Sequence, residues 1–199
     1  DALVIPPPVA TDRFAPSARP TRDYYLMVGA FAPYKRVDLA IEACRALDLP
    51  LWIAGEGQEA SRLRRLGGDR LRFLGRVDDE EVARLYANAR ALLFPGEEDF
   101  GITPVEAQAS GTPVIAYGRG GALETVRGLD HRTPTGVFFE RQEVGALIEA
   151  LRRFEACRER FLAADMTACA ARFTVARFEH AIGRVLDEAE DRAQRRVRS

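Results

Sequence analysis

The sequence has few of the residues that build metal sites and disulfide frameworks. Its 199 residues include three cysteines and two histidines, and these are scattered along the chain at Cys44, Cys157, Cys169, His131 and His180. Disulfide frameworks and zinc sites need such residues in closely spaced sets. We therefore predict free thiols in a reducing compartment and no bound metal.

Two further absences limit the classes of function. Basic and acidic residues nearly cancel, for a formal net charge of −1, which gives no basis for binding nucleic acid or an anionic membrane. No apolar run approaches the roughly 20 residues that a membrane-spanning helix needs. The chain also opens without Met on a proline-rich stretch, which predicts an interdomain linker over 1–22 and a longer parent protein.

Short apolar runs alternate with helical patterns. The runs are typical of buried strands, and they lie at 24–30, 49–55, 71–75, 89–96, 112–118 and 135–140. Apolar periodicity predicts helices at 36–47, 79–88, 142–155, 157–171 and 174–190. This alternation predicts an α/β fold with a doubly wound parallel sheet. Ligands of such sheets bind beyond the carboxyl ends of the strands, where the strand order reverses.

The loop after the first strand has the composition of an anion site. Gly29 permits a tight turn, and Lys35 and Arg36 come just before the next helix. The free N–H groups at a helix N-terminus attract anions. A phosphate site and a solvated Lys-Arg pair both fit this loop.

The segment GEGQEA (55–60) fits the dinucleotide fingerprint G-x-G-x-x-G/A, with Asp78 about 20 residues further on. A tight strand-to-helix turn explains Gly55 and Gly57 equally well, and Asp78 is more simply the N-cap of the next helix. Three more glycines follow the fifth strand and either let backbone approach a ligand or allow a sharp turn: Gly118, Gly120 and Gly121.

Two glutamates stand out in EEDFGITPVEAQASG (97–111). Thr103, Pro104 and Glu106 predict a capping box, in which Thr103 is the N-cap and Glu106 bonds back to its amide. That motif leaves Glu98 unexplained. Glu98 follows a strand, on a loop whose amides lead into a helix. A carboxylate beside free N–H groups suits a hydroxyl-rich ligand that carries a phosphate.

These residues resemble the family 4 retaining glycosyltransferases, which have the two-domain GT-B fold. EDFGITPVE is similar to their E-x7-E motif, and other segments occur in the family's order: VGAFAPYKRVDLAIEAC, IAGEGQE, FLGRV, LLFP, SGTPVIAYGRGGALETV and TGVFFE. The resemblance covers about 24–140 strongly and the tail to about 188 loosely. The pattern resembles the mannosyltransferase branch, which is associated with GDP-mannose, although related sequences use other donors.

The resemblance implies roles for two candidate catalytic residues. Lys35 would contact the donor diphosphate, beside Gly29, and offset the charge that builds on the leaving group. Glu98 would hydrogen-bond a hydroxyl of the donor sugar. Many family members carry an arginine directly after the glycine of the first loop, where this chain has Ala30. Arg36 is the candidate for the missing charge.

The remaining implied contacts involve the nucleoside of the donor and backbone amides of the protein. Glu106 would reach the ribose hydroxyls, and Val77 would meet the base through its backbone. The other implied donor-binding residues contribute backbone amides beside Glu98 or line the nucleotide cleft: Phe100, Gly101, Ile102, Gly55 and Gly57.

The resemblance also implies that this chain is the C-terminal half of an enzyme. We expect a Rossmann-like donor-binding domain at 23–172, and a helix at 173–199 that packs toward an N-terminal domain. The expected partners are that domain, a nucleotide sugar and a glycan or lipid-linked acceptor, with no nucleic acid, cofactor or metal. GDP-mannose is favoured as donor over a UDP-sugar. This half alone would bind donor and transfer little, and the full-length protein would be cytoplasmic, with a peripheral place at the inner face of the membrane left open.

Two alternatives remain at this point. One is a non-catalytic module that binds nucleotide sugars; the intact Lys35, Glu98 and Glu106 argue against it, and the Ala30 departure keeps it open. The other is an NAD-type dinucleotide-binding domain built on GEGQEA, which explains neither Lys35 nor Glu98.

Overall fold

A computed structural model describes residues 3–197 of the chain, with the backbone alone for 191–193 and 195–197. Its strands are β1 Tyr25–Val28, β2 Leu51–Ala54, β3 Leu71–Gly75, β4 Ala91–Phe94, β5 Val114–Tyr117 and β6 Gly136–Phe139. Each falls within a predicted apolar run, so the predicted strands are confirmed. The predicted linker and C-terminal helix also include residues 1–2 and 198–199, which lie outside the described residues.

The strand order reverses in the middle of the sheet. All neighbouring strands are parallel, in the order β3-β2-β1-β4-β5-β6. The chain thus adds strands outward from β1 on one side and outward from β4 on the other. This is the Rossmann order, whose switch point lies between the carboxyl ends of β1 and β4. The predicted doubly wound α/β sheet is confirmed.

Helices follow every strand of the sheet. They are α1 Val37–Ala46, α2 Ala60–Arg65, α3 Asp79–Asn88, α4 Ile102–Ala109, α5 Ala122–Thr125, α6 Val144–Ala156, α7 Ala163–Ala170 and α8 Val175–Val197. The helix predicted over 157–171 is instead a 3-10 turn at Arg158–Arg160 followed by α7. The last helix continues beyond 190, where the apolar periodicity ends, and α8 at Val175–Val197 lies within the helix expected at 173–199.

Alternating side chains of the central strands pack into two apolar layers, one on each face of the sheet. Tyr25 and Met27 pack in the layer that also holds the buried faces of α1 and α6. Leu26 packs in the opposite layer, with buried residues of α3 and α4. Because successive side chains of a strand point to opposite faces, a strand buried on both sides is apolar at nearly every position. This burial explains why the strands read as continuous apolar runs.

The N-terminal segment lies against the start of α8. The Val9 N–H donates to the Phe173 carbonyl at 2.8 Å, and Val9 forms a parallel bridge with Thr174. Arg22 anchors the other end of this segment, because its guanidinium donates to Thr112 Oγ1 at 2.8 Å and to the Gly111 carbonyl at 3.0 Å. The domain boundaries at 22 and 173 stay predictions.

Cys44, Cys157 and Cys169 are free thiols. In the part of the chain that the structure describes, no three His, Cys, Asp or Glu side chains are grouped so that they could hold a metal ion. Among the helices within residues 3–197, none combines the length and the apolar character needed to cross a membrane.

Candidate functional site

An ion pair occupies the switch point of the sheet. Lys35 ends a 3-10 turn in the loop after β1, and Glu98 lies in the loop after β4. Lys35 Nζ donates to Glu98 Oε1 at 2.5 Å, and only 18% and 19% of the two side chains are exposed. The fold therefore brings together the two predicted catalytic residues, which are 63 positions apart in the sequence.

Lys35 is the only lysine of the chain. The sequence has 29 Lys and Arg residues in all, and every other one is an arginine. An ammonium is a compact point charge, whereas a guanidinium is a planar fork that suits two-point contacts. The single lysine is a compositional signal that the sequence motifs did not include. It indicates that this position favours an ammonium over the guanidinium found at every other basic position.

Two crevices meet at the ion pair. One descends between the carboxyl ends of β1, β2 and β4, and its lining includes residues 27–31 and Pro95 and Gly96. The other follows the loop 97–103 to the start of α4. Lys35 and Glu98 line both crevices. A ligand that spans them meets a donor suited to anionic oxygens and an acceptor suited to hydroxyl groups.

The start of α4 differs from the sequence prediction. The helix begins at Ile102, its N-cap is Gly101 at φ +86°, and no side chain caps it. The predicted capping box is therefore wrong: Thr103 is already helical, and its Oγ1 is buried without a hydrogen-bond partner among the described residues. The reason is that Gly101 adopts a left-handed conformation and turns the chain into the helix before Thr103. The first N–H groups of α4 thus have no side-chain acceptor, at the edge of the crevice beside Glu98.

The glycine-rich loop after β5 supports the Glu98 loop. The Gly121 N–H donates to the Glu98 carbonyl at 2.8 Å. A Cβ at Gly120 would overlap the Glu98 carbonyl, and a Cβ at Gly121 would overlap the backbone of Phe100. The ring of Phe100 in turn packs edge-on against Phe173 at 5.3 Å. These glycines serve a close approach between two loops of the protein, which the sequence analysis had not considered.

We predict that Gly121→Ala lowers the free energy of unfolding by about 1–3 kcal/mol, the usual cost of overpacking. The added methyl group would meet backbone that cannot rotate away, so the loop 97–101 must move and the ion pair with it. Thermal or urea unfolding measures the effect.

Gly145→Ala is the matched control for this prediction. Gly145 lies in α6, and a Cβ there would have nothing within 4 Å, so alanine should stabilise by roughly 0.5–1 kcal/mol. Equal stability of the two variants would contradict the tight contact between the loops.

The loop GEGQEA packs against the first loop through backbone contacts. The Phe31 N–H donates to the Glu56 carbonyl at 2.8 Å, and a Cβ at Gly57 would lie 2.6 Å from the Phe31 nitrogen. A Cβ at Gly55 would overlap the Gly29 carbonyl. Asp78 caps α3, since its carboxylate accepts from the Glu81 N–H at 2.8 Å. The predicted N-cap is confirmed, and both glycines are explained by contact between two loops.

For three other predicted donor-binding residues, the structure shows contacts or exposure but, within the described part of the chain, no hydrogen bond to the side chains of the ion pair. Arg36 donates to Asp38 at 3.2 and 3.3 Å and to the Gln142 carbonyl at 3.3 Å, so its guanidinium is engaged beside the start of α6. Val77 packs at the margin of one apolar layer, and Ile102 is 49% exposed. Their donor-binding roles stay predictions. Ala30 is exposed in the lining of the first crevice.

Glu106 points across to α3 rather than back to the start of its own helix. Its Oε2 accepts a hydrogen bond from the Tyr86 hydroxyl at 3.1 Å. Burial raises the pKa of the Glu106 carboxyl, while the Tyr86 hydrogen bond and the charge of Arg13 act in the opposite direction. Hydrophobic periodicity does not distinguish a buried phenol from a buried phenyl ring, so the sequence pattern gave no signal for the Tyr86 hydroxyl.

The chain is similar to known glycosyltransferases over most of its length. The family model "Glycosyl transferases group 1" matches residues 9–172. The D-inositol 3-phosphate glycosyltransferase of Geodermatophilus obscurus is 34% identical over 187 residues, which cover 79% of this chain and 41% of that protein. The GDP-mannose-dependent monoacylated alpha-(1-6)-phosphatidylinositol monomannoside mannosyltransferase of Corynebacterium glutamicum is 39% identical over 116 residues, or 52% of this chain and 29% of that protein. The chain therefore spans less than half the length of these relatives.

A solved structure shares the same fold. The sucrose-phosphate synthase of Thermosynechococcus elongatus superimposes with a TM-score of 0.80 at 25% identity, and the match covers 95% of this chain and 53% of that one. The six-stranded sheet and its flanking helices match the Rossmann-like half of such GT-B proteins.

Proposed function

Because this chain belongs to the group 1 glycosyltransferases, we propose that it is the donor-binding domain of a family 4 retaining enzyme that transfers a hexose. The donor we propose is GDP-mannose, and the acceptor is a glycan or a lipid-linked glycan. The observation that carries the proposal is the ion pair of Lys35 and Glu98 at the junction of two crevices. It supplies one group for a diphosphate and one for a sugar.

Lys35 acts on the diphosphate in this proposal. Its ammonium leaves Glu98 for the phosphate oxygens and stabilises the negative charge that develops as the sugar departs. The uncapped N-terminus of α4 lies on the same crevice, and the amides of Phe100, Gly101 and Ile102 donate to donor oxygens there. These groups offset the leaving-group charge, so the proposal includes no metal or other cofactor.

Glu98 acts on the sugar. Its carboxylate accepts hydrogen bonds from hydroxyl groups, and it becomes available once a phosphate has drawn Lys35 away. The support of its loop by Gly120 and Gly121 keeps the carboxylate in a fixed place, which lowers the entropy cost of binding. Glu106 meets the ribose, and Gly55, Gly57 and Val77 lie on the nucleotide side of the cleft.

The name of the Corynebacterium glutamicum relative supports GDP-mannose as the donor. A UDP-sugar is the alternative donor. The Geodermatophilus obscurus relative, which aligns over more of the chain, is named for a glycosyl transfer to D-inositol 3-phosphate. This name does not specify the donor sugar, so it favours neither GDP-mannose nor a UDP-sugar.

A second half of the enzyme completes the proposal. Since the chain spans 41% of one relative and 29% of the other, we propose that an N-terminal domain supplies the acceptor contacts. Segment 1–22 and α8 are the elements that would join it, and Val185 and Leu186 of α8 are exposed. In the whole protein, at the cytoplasmic face of a membrane, a lipid-linked acceptor would be within reach.

Calorimetric titration tests this function. We expect GDP-mannose and GDP to bind this chain, and NADH not to bind. Preference for UDP and UDP-glucose would keep the enzyme class and replace the donor. Binding of NADH in preference to the sugar nucleotides would contradict the proposal.

A non-catalytic nucleotide-sugar-binding module is the second candidate function, and Ala30 favours it. A methyl group lies in the crevice where many family members present an arginine to the diphosphate.

If the site binds diphosphate, Ala30→Arg should raise the affinity for GDP about tenfold, as expected for one added charge-assisted hydrogen bond. Calorimetry measures the gain. An unchanged affinity would indicate that the crevice does not hold a diphosphate beside residue 30.

A further inference from the structure

Glu106 is a half-buried carboxylate without an ion-pair partner in the described part of the chain. Arg13, whose charge acts on it, is itself paired with Asp79 at 2.5 Å. Burying a carboxylate costs free energy unless other groups replace its hydration. Glu106 therefore occupies a place that core packing alone would not give to an acidic residue.

The hydrogen-bond partner of Glu106 is the phenol of Tyr86, which is fixed by contacts with several other residues. Tyr86 is fully buried, its ring meets Phe14 edge-on at 5.9 Å, and its carbonyl accepts from the Thr112 hydroxyl at 2.5 Å. The Tyr86 hydroxyl bonds to Glu106 Oε2 at 3.1 Å. A phenylalanine would fill the same space, so the hydroxyl serves the carboxylate rather than the core.

We infer that Tyr86 is a positioning residue of the donor site: it holds Oε2 of Glu106 so that Oε1 accepts a hydrogen bond from a ribose hydroxyl of the nucleotide. This inference rests on the proposed function, in which Glu106 meets the ribose. Oε1 has no hydrogen-bond partner among the described residues. A carboxylate fixed at one oxygen loses little rotational freedom when a ligand binds the other, and this preorganisation favours binding.

The hydrogen bond also affects the protonation of Glu106. Burial raises the pKa of the carboxyl, and the negative charge of Asp79 adds to that rise. The Tyr86 hydroxyl and Arg13 lower it. Loss of the hydroxyl therefore raises the Glu106 pKa, so the carboxyl is protonated at a higher pH. A protonated carboxyl is a poorer acceptor for a ribose hydroxyl, and the acid-side loss of GDP affinity moves to higher pH.

The test compares GDP with 2′,3′-dideoxy-GDP by calorimetry on the whole chain. We expect the wild-type protein to prefer GDP, and Tyr86→Phe to reduce that preference about threefold to tenfold, the cost of ordering one side chain that is no longer held in place. In a Glu106→Gln background the same change should have no further effect. The acid limb of GDP binding should shift upward in pH in Tyr86→Phe.

Tyr24→Phe is the matched control. Tyr24 is also buried, and its hydroxyl donates to the Leu85 carbonyl of the same helix at 2.9 Å. This variant should keep the preference for GDP, even where its thermal stability falls as far as that of Tyr86→Phe. Equal losses of preference in both variants would assign Tyr86 a merely structural role and overturn the inference.

The remaining outcomes separate this inference from the function on which it rests. Wild-type binding with an undiminished GDP preference in Tyr86→Phe overturns the inference and leaves the proposed function standing. A wild-type protein that binds neither nucleotide overturns both.

Discussion

Lys35→Ala is expected to weaken binding of both GDP-mannose and GDP about tenfold to a hundredfold. Hydrogen bonds to charged groups contribute about 1.5–3 kcal/mol, and Lys35 is the cation that the structure brings to the switch point. Both ligands carry the diphosphate, so both should lose affinity alike. Calorimetry on the purified variant measures the two losses in parallel.

Two controls sharpen the Lys35 prediction. Lys35→Arg keeps the charge but replaces a compact ammonium with a planar fork in a largely buried place, so we expect it to restore only part of the affinity. Arg119→Ala removes an exposed cation from the loop after β5 and should change little. Unchanged binding by Lys35→Ala would show that arginine or backbone amides hold the diphosphate instead.

Glu98→Gln is expected to change the affinities of the two ligands in opposite directions. In the free protein Glu98 neutralises Lys35 at 2.5 Å, so a bare diphosphate must compete with a carboxylate. Removing that charge should strengthen GDP binding about threefold to tenfold, in line with roughly 1 kcal/mol for a partly exposed pair. GDP-mannose should instead lose about tenfold, because its sugar hydroxyl loses a charged acceptor.

The ratio of the two affinities is the decisive quantity for Glu98. Glu97→Gln is the control, since it makes the same charge change one residue away at an exposed position and should leave the ratio as it is. Equal losses for GDP and GDP-mannose in Glu98→Gln would contradict a contact between Glu98 and the sugar.

Much of the fold could be predicted from the sequence because parallel strands are buried on both faces. Ala91–Phe94, for example, is buried at every position, so it appears as an apolar run whatever its neighbours are. The loops that follow the strands could be located for the same reason. Lys35 and Glu98 were therefore candidates before their contact was known.

The errors concern contacts that depend on the path of the backbone. Thr103 and Glu106 have the spacing of a capping box, but the left-handed Gly101 starts α4 at Ile102 and turns Glu106 toward Tyr86. Gly120 and Gly121 are a similar case, since their close neighbours, Glu98 and Phe100, lie on a loop more than 20 positions earlier in the chain. Local sequence patterns do not contain such long-range contacts.

The lone lysine permits the measurement that tests the central claim most directly. A protein grown with lysine labelled at ¹³Cε gives one side-chain lysine signal in an NMR spectrum, and that signal reports on Lys35. We predict that titration with GDP-mannose shifts this signal saturably, with the same Kd that calorimetry gives. GDP-mannose binding that leaves the Lys35 signal in place would contradict the account, because the donor would then lie elsewhere than at the switch point.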